Sequence, residues 1–183
     1  QQVDIMETTG KLYFPSFLAM KLKSYYELLK VRLSFLVAFS SGFGYILGHQ
    51  GTVNWANFFL FCIGGFLISG GGITVNQILE KEYDKVMKRT MGRPLPTHRV
   101  SRQEAWVYAV VLLIIGFSLI LITANPLTFL ISVFSLVMYS FVYTPLKRVG
   151  PIAVFVGAIP GALPPLLGWV AVTGHISYEA LII

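Results

Sequence analysis

The sequence predicts an all-α protein, a polytopic bundle of transmembrane helices, and three observations carry that reading. Hydrophobic residues make up 55% of the 183-residue chain and charged residues only 12%, where a soluble domain carries about a quarter charged residues. The mean hydropathy is +0.71, too high for a surface that must face water. The apolar residues lie in long runs, each close to the ~20 residues a helix needs to cross a hydrocarbon core, rather than in short alternating stretches. Lys and Arg, finally, occur in every second connection between those runs and are missing from the others.

The elements follow in order. Residues 1–30 form a mixed leader without the short apolar region of a cleaved signal peptide, and residues 21–30 suit an amphipathic interfacial helix. A first span is expected over 31–48. A second begins near Asn57 and continues past Ile78, and the strongly charged stretch 80–104 follows. Further spans are expected at about 105–122, 127–143 and 151–172, and 177–183 reads as the opening of a sixth. This gives five complete spans over a membrane region of 31–183, with 80–104 as an extramembrane loop. All fourteen Lys and Arg fall before or at the first span, between spans two and three, or between spans four and five. Under the positive-inside rule those three places share the cytoplasmic side. The net charge of +6 is therefore read as a topology signal and not as a nucleic-acid surface. Without an Arg/Ser-rich transit segment, a bacterial inner membrane is the expected location.

Trp55, Trp106 and Trp169 lie near span ends, where interfacial aromatics belong. Glycines concentrate in the second span (64, 65, 70, 71, 72) and the fifth (157, 161, 168). Such positions let helix backbones approach closely, and that reading is favoured over substrate contact for any one of them. Pro160, Pro164 and Pro165 must free carbonyls at membrane depth, which suggests an interior pocket. Cys62, the one cysteine, has no intrachain partner and is given no role.

The chemistry concentrates in 76–96. If the second span continues as a helix, Asn76, Glu80 and Asp84 are spaced four apart, rotate by only about 40° per step and share one face. A carboxamide and two carboxylates make a hard oxygen row of the kind that suits Mg²⁺. Lys88, Arg89 and Arg93 stand beside it to neutralise a diphosphate, with Lys147 and Arg148 from the turn after the fourth span and Arg32 from the first. The same spacing fits a solvated helix end with i,i+4 pairs, and each cation also serves as a topology signal. Placement favours the metal: the row lies where a glycine-rich membrane helix meets the aqueous side, as a lipid diphosphate requires. Nucleotide-binding glycine motifs and zinc spacing are missing. Tyr143 reads as an interfacial anchor or a pocket residue, with the anchor favoured. His49 and His175 are left out, and His98 is a minor phosphate candidate.

The stretch Asn76-x-x-x-Glu80-x-x-x-Asp84 resembles the first aspartate-rich motif of the UbiA prenyltransferases, with Glu where many members have Asp. Residues 84–96, Arg32-Leu-Ser-Phe-Leu-Val, Tyr143-Thr-Pro-Leu-Lys-Arg148 and the Gly161–Trp169 stretch resemble the haem O synthase branch in particular, so the likeness runs from Lys30 to Gly174. It implies a Mg²⁺-assisted enzyme that transfers a farnesyl group from farnesyl diphosphate to the 2-vinyl group of haem B, giving haem O. It further implies Asn76, Glu80 and Asp84 as catalytic metal ligands, and contact with haem A synthase or terminal-oxidase assembly. Gly150 and Ala153 stand where the family tends to have Thr and Asn. The family has about nine spans and a second acidic motif further on, which predicts that this chain is the N-terminal part of a longer enzyme. Two other readings are a UbiA-type enzyme acting on an aromatic or quinone precursor, and a non-catalytic assembly subunit. A transporter is disfavoured, because no ionisable residue lies near the middle of a span.

Overall fold

A computed structural model describes residues 4–147 and 150–182, with side chains from residue 17 onward. The described chain is helical throughout its regular structure: α1 (Asp4–Leu29), α2 (Val31–Gly48), α3 (Trp55–Val86), α4 (Arg102–Thr123), α5 (Pro126–Leu146), α6 (Ile152–Thr173) and the short α7 (Tyr178–Ile182). Five of these, α2 to α6, are long and apolar enough to cross a membrane. Their outer faces carry large exposed hydrophobic side chains such as Phe39, Ile122 and Phe155, the surface expected when lipid is the solvent.

Local chemistry sets the helix starts. Asn54 caps α3 by accepting from the Asn57 amide. Ser101 and Glu104 form a reciprocal capping box at the start of α4, which satisfies two of the helix's unpaired donors. Asn125 caps α5 ahead of Pro126, and its amide nitrogen donates 2.7 Å to the Val170 carbonyl near the end of α6. That contact ties α5 and α6 together at the end of the bundle opposite the charged loop.

Helix α3 is the central element, packed on α4 and α2, while α2 also packs on α6. Small residues make these contacts possible. A side chain at Gly44 would run into the Pro165 carbonyl, and one at Gly168 into the Ser41 carbonyl of α2. Gly64 and Gly116 bring α3 and α4 together in the same way: a Cβ on Gly64 would lie 3.2 Å from the Gly116 carbonyl. Close backbone approach of this kind is the main source of helix cohesion in lipid.

Helix α6 continues through Pro160, Pro164 and Pro165 without a break. A proline ring offers no N–H, so the carbonyls one turn earlier, at Val156, Pro160 and Gly161, lack their helical donor. Two of the tryptophans depart from a simple interfacial role. Trp169 lies against Gly48 with its indole nitrogen buried and unpaired among the described residues. Trp106 packs half-buried on a small core of Leu28, Ile78, Leu95, Val100 and Ala105.

Candidate functional site

Helix α3 spans 32 residues, roughly 48 Å at 1.5 Å per residue. That exceeds a hydrocarbon core of ~30 Å by several turns, so its last turns, with Glu80 and Asp84, project beyond it. Both carboxylates are nevertheless buried, Glu80 at 7% exposure and Asp84 at 4%. Burial of two acids at one helix end is costly unless each is paired, and the structure pairs both.

Residues 87–101 supply the first partner. They fold into a compact cap, anchored by Leu95 and Val100 in the core with Leu28 and Ile78. The Thr90 hydroxyl donates 3.1 Å to the Asp84 carbonyl, and the Arg93 guanidinium donates 2.7 Å to Asp84 Oδ2. Arg99 fastens the cap to α1 by donating to Glu27 at 2.7 Å. Helix α1 is itself docked on α3, where the Gln77 amide donates 2.8 Å to the Leu28 carbonyl.

The end of α5 supplies the second partner. The helix switches to π geometry over Met138–Tyr143 and then resumes as Thr144–Leu146. A π turn inserts a residue and re-aims everything after it, and such turns are frequent at functional sites. Beyond it, the Thr144 hydroxyl lies 2.6 Å from Asn76 Oδ1. The Asn76 amide nitrogen donates 3.1 Å to Glu80 Oε2, and the Lys147 ammonium pairs with Glu80 Oε1.

Sequence reasoning passed over one further cation. Lys30 joins α1 to α2 with a left-handed backbone, φ 44°, a conformation costly for a residue with a side chain. Burial, reinforced by Arg93 nearby, pushes its ammonium below the usual lysine value, while Asp84 and Glu80 act the other way. Lys30 therefore stands within electrostatic reach of the row. The only sequence signal was its place immediately before the first span, which by itself marks topology.

Below the row, toward the middle of the bundle, α2, α3, α5 and α6, with Ile120 of α4, line a partly open apolar cavity of about 310 Å³. Gly72 and Ile73, one turn before Asn76, line it, as do Tyr139 and Tyr143 of the π turn. Tyr143 thus takes the pocket role, the less favoured of its two expected ones, with Lys147 Nζ 5.9 Å from its ring centre. The glycines divide into two groups. Gly64, Gly70, Gly71 and Gly168 face tight neighbours, whereas Gly161 has open space where a side chain would go and Gly65 has only Ser41 at 3.9 Å. Those two open onto the cavity, so the packing expectation fails for them.

The row's donors fit a divalent cation in part. Among the described residues no three His, Cys, Asp or Glu side chains converge, so the row offers two carboxylates and a carboxamide. Mg²⁺ takes one or two protein carboxylates and completes its shell with water and phosphate oxygens, and it suits this set. In this structure each carboxylate is instead paired with a cation from another segment of the chain, Asp84 with Arg93 and Glu80 with Lys147.

The remaining candidates fall into four groups. Arg89 is exposed but close enough to act on Lys30. Arg32 and Lys88 are exposed and are not among the cations paired with the row. Arg148 lies outside the described residues. His98 is exposed, with a left-handed backbone of φ 58° in the cap.

Comparison with known proteins places these features in context. The UbiA prenyltransferase family matches residues 36–183. The chain is 49% identical to a protoheme IX farnesyltransferase of Cytophaga hutchinsonii, over 88% of this chain and 57% of that protein. It is 43% identical to a mitochondrial protoheme IX farnesyltransferase of Arabidopsis thaliana, over 88% of this chain and 38% of that one. The chain thus spans about half the length of the curated relatives it matches. Among solved structures, a digeranylgeranylglyceryl phosphate synthase superposes with a TM-score of 0.74 at 26% identity, covering 82% of this chain and 53% of that one. A UbiA homologue from Archaeoglobus fulgidus bound to DMAPP and Mg²⁺ superposes with a TM-score of 0.67 at 22% identity, covering 86% and 57%.

Proposed function

Because the chain belongs to the UbiA prenyltransferase family, we propose that the protein transfers a farnesyl group from farnesyl diphosphate to a vinyl group of haem B, giving haem O. The observation that carries this reading is a buried row of oxygen donors, ringed by cations, above an apolar cavity. Helix α3 holds Asn76, Glu80 and Asp84 at the charged end of the bundle, one turn from residues that line the cavity. An isoprenoid tail fits the apolar space, and a diphosphate head then lies against the row.

Asn76, Glu80 and Asp84 would hold Mg²⁺, the ion bound together with DMAPP in a homologue of the same fold. When bound, the ion supplies a counter-charge for the diphosphate as the allylic C–O bond breaks. Arg93 and Lys147 stand on the carboxylates with donors to spare, and Lys30 stands close by. Their charges favour the leaving diphosphate as its negative charge grows. Tyr139, Tyr143 and the aliphatic lining keep water from the allylic cation until the vinyl π electrons form the new carbon–carbon bond; water then adds to the carbocation left on the inner vinyl carbon and gives up a proton, leaving the hydroxyl of haem O. The charged end faces the cytoplasm on the distribution of Lys and Arg, and the bacterial relatives favour an inner membrane.

The test is a transfer assay on full-length protein in detergent, supplied with farnesyl diphosphate, Mg²⁺ and either haem B or an aromatic acid. Farnesylated haem is the expected product. Prenylation of the aromatic acid alone would retain the family and overturn the haem assignment.

A further inference from the structure

We propose that Thr144 is a positioning residue for the acidic row, setting the orientation of the Asn76 carboxamide and thereby the affinity of the site for a metal–diphosphate. The inference rests on the metal-row reading above and goes beyond it to a residue that none of the charge or ligand arguments required.

The geometry is a closed circuit between two helices. From α5, the Thr144 hydroxyl reaches Asn76 Oδ1 at 2.6 Å; on α3, Asn76 Nδ2 donates to Glu80 Oε2 at 3.1 Å; and Glu80 Oε1 returns to α5 through Lys147. Thr144 is 1% exposed, so no water competes for its hydroxyl. The same hydroxyl lies 2.9 Å from the Tyr139 carbonyl, five residues back across the π turn, so one proton serves two acceptors and the shorter contact is the one to Asn76.

The circuit fixes the amide in one sense. Were the Asn76 side chain turned over, its oxygen would face the Glu80 carboxylate, and two acceptors would oppose each other without a proton between them. With Thr144 donating, the carboxamide oxygen keeps one lone pair free for a cation while its nitrogen steadies Glu80. A hydroxyl is needed for this, and the rest of the side chain is not. The π turn matters because it brings Thr144 and Lys147, three residues apart, onto Asn76 and Glu80, four residues apart on the facing helix.

Calorimetric titration of inorganic diphosphate with Mg²⁺ into full-length protein tests the proposal, beside melting curves without either ion. Thr144→Val keeps the shape and removes the donor. It is expected to weaken binding about tenfold, the usual worth of one buried hydrogen bond. Thr144→Ser is expected to bind within about twofold of wild type on the same basis. In an Asn76→Ala background the Thr144→Val effect is expected to vanish, whatever either change does to the melting temperature. Wild-type affinity in Thr144→Val, or an undiminished loss in the Asn76→Ala background, would overturn the proposal. Asp84→Asn separates the two levels of the argument. If it abolishes binding while Thr144→Val does not weaken it, only the role of Thr144 falls; if it leaves binding intact, the metal-row reading falls too.

Discussion

Lys30 shows how a single residue can be poorly placed for stability and well placed for a ligand. Its left-handed backbone costs about 1 kcal/mol, and burial pushes its ammonium below the ordinary lysine value of 10.5. A lysine whose folded pKa is depressed opposes folding at every pH below that folded pKa, and the penalty is gone only above 10.5. Lys30→Gly is therefore expected to raise stability at neutral pH by about 1 kcal/mol, read as a higher melting temperature. The same change is expected to weaken diphosphate binding about tenfold through loss of a charge-assisted contact. Asp84 presents the opposite case. At 4% exposure it depends on Arg93, so Arg93→Met should destabilise the cap by about 3 kcal/mol, visible as early proteolysis within 87–101. The residue string places Arg93 and Lys147 among the cations beside the row but carries no sign of their direct pairing with the carboxylates or of the approach of Lys30. Spacing put Asn76, Glu80 and Asp84 on one face, but which cations would meet them depended on how 87–101 folds and on a backbone twist at residue 30.

At the scale of the element, the π turn and the glycines do different work. Met138–Tyr143 reads in sequence as ordinary apolar helix, because hydropathy carries no signal for an inserted residue. Inserting an alanine after Phe141, which is 54% exposed so that the site costs little packing, would turn Thr144 and Lys147 by about 100° away from α3. Loss of metal–diphosphate binding with retention of the folded bundle is the expected result, checked by calorimetry and circular dichroism on one preparation. The glycines were legible as a class and ambiguous one by one. Gly44→Ala and Gly168→Ala force α2 and α6 apart and should each cost at least about 1–3 kcal/mol. Gly161→Leu instead grows into open space, and should leave the melting temperature near wild type while excluding the longer isoprenoid diphosphates from the cavity.

The whole molecule follows from hydropathy and charge, which is why its spans were the most legible part of the sequence. Expected and observed spans agree closely, since a run of apolar residues long enough to cross lipid has few alternatives to helix. The charged connections also converge at one end, where Arg99 meets Glu27, Lys21 meets Glu104 and Lys147 meets Glu80. In a Cys62→Ser background, Thr97→Cys should label with a membrane-impermeant thiol reagent only from the cytoplasmic face, and Thr52→Cys only from the other. The central claim, however, is that the row on α3 holds the metal and diphosphate on which transfer depends. Its most direct test is the Mg²⁺ dependence of farnesyl transfer to haem B by full-length wild-type protein and by Asp84→Asn, in the same detergent. Product is expected in the wild type and disappears on chelation, with a loss of at least about a hundredfold in the variant. Transfer by Asp84→Asn at the wild-type rate and Mg²⁺ requirement would contradict the central claim.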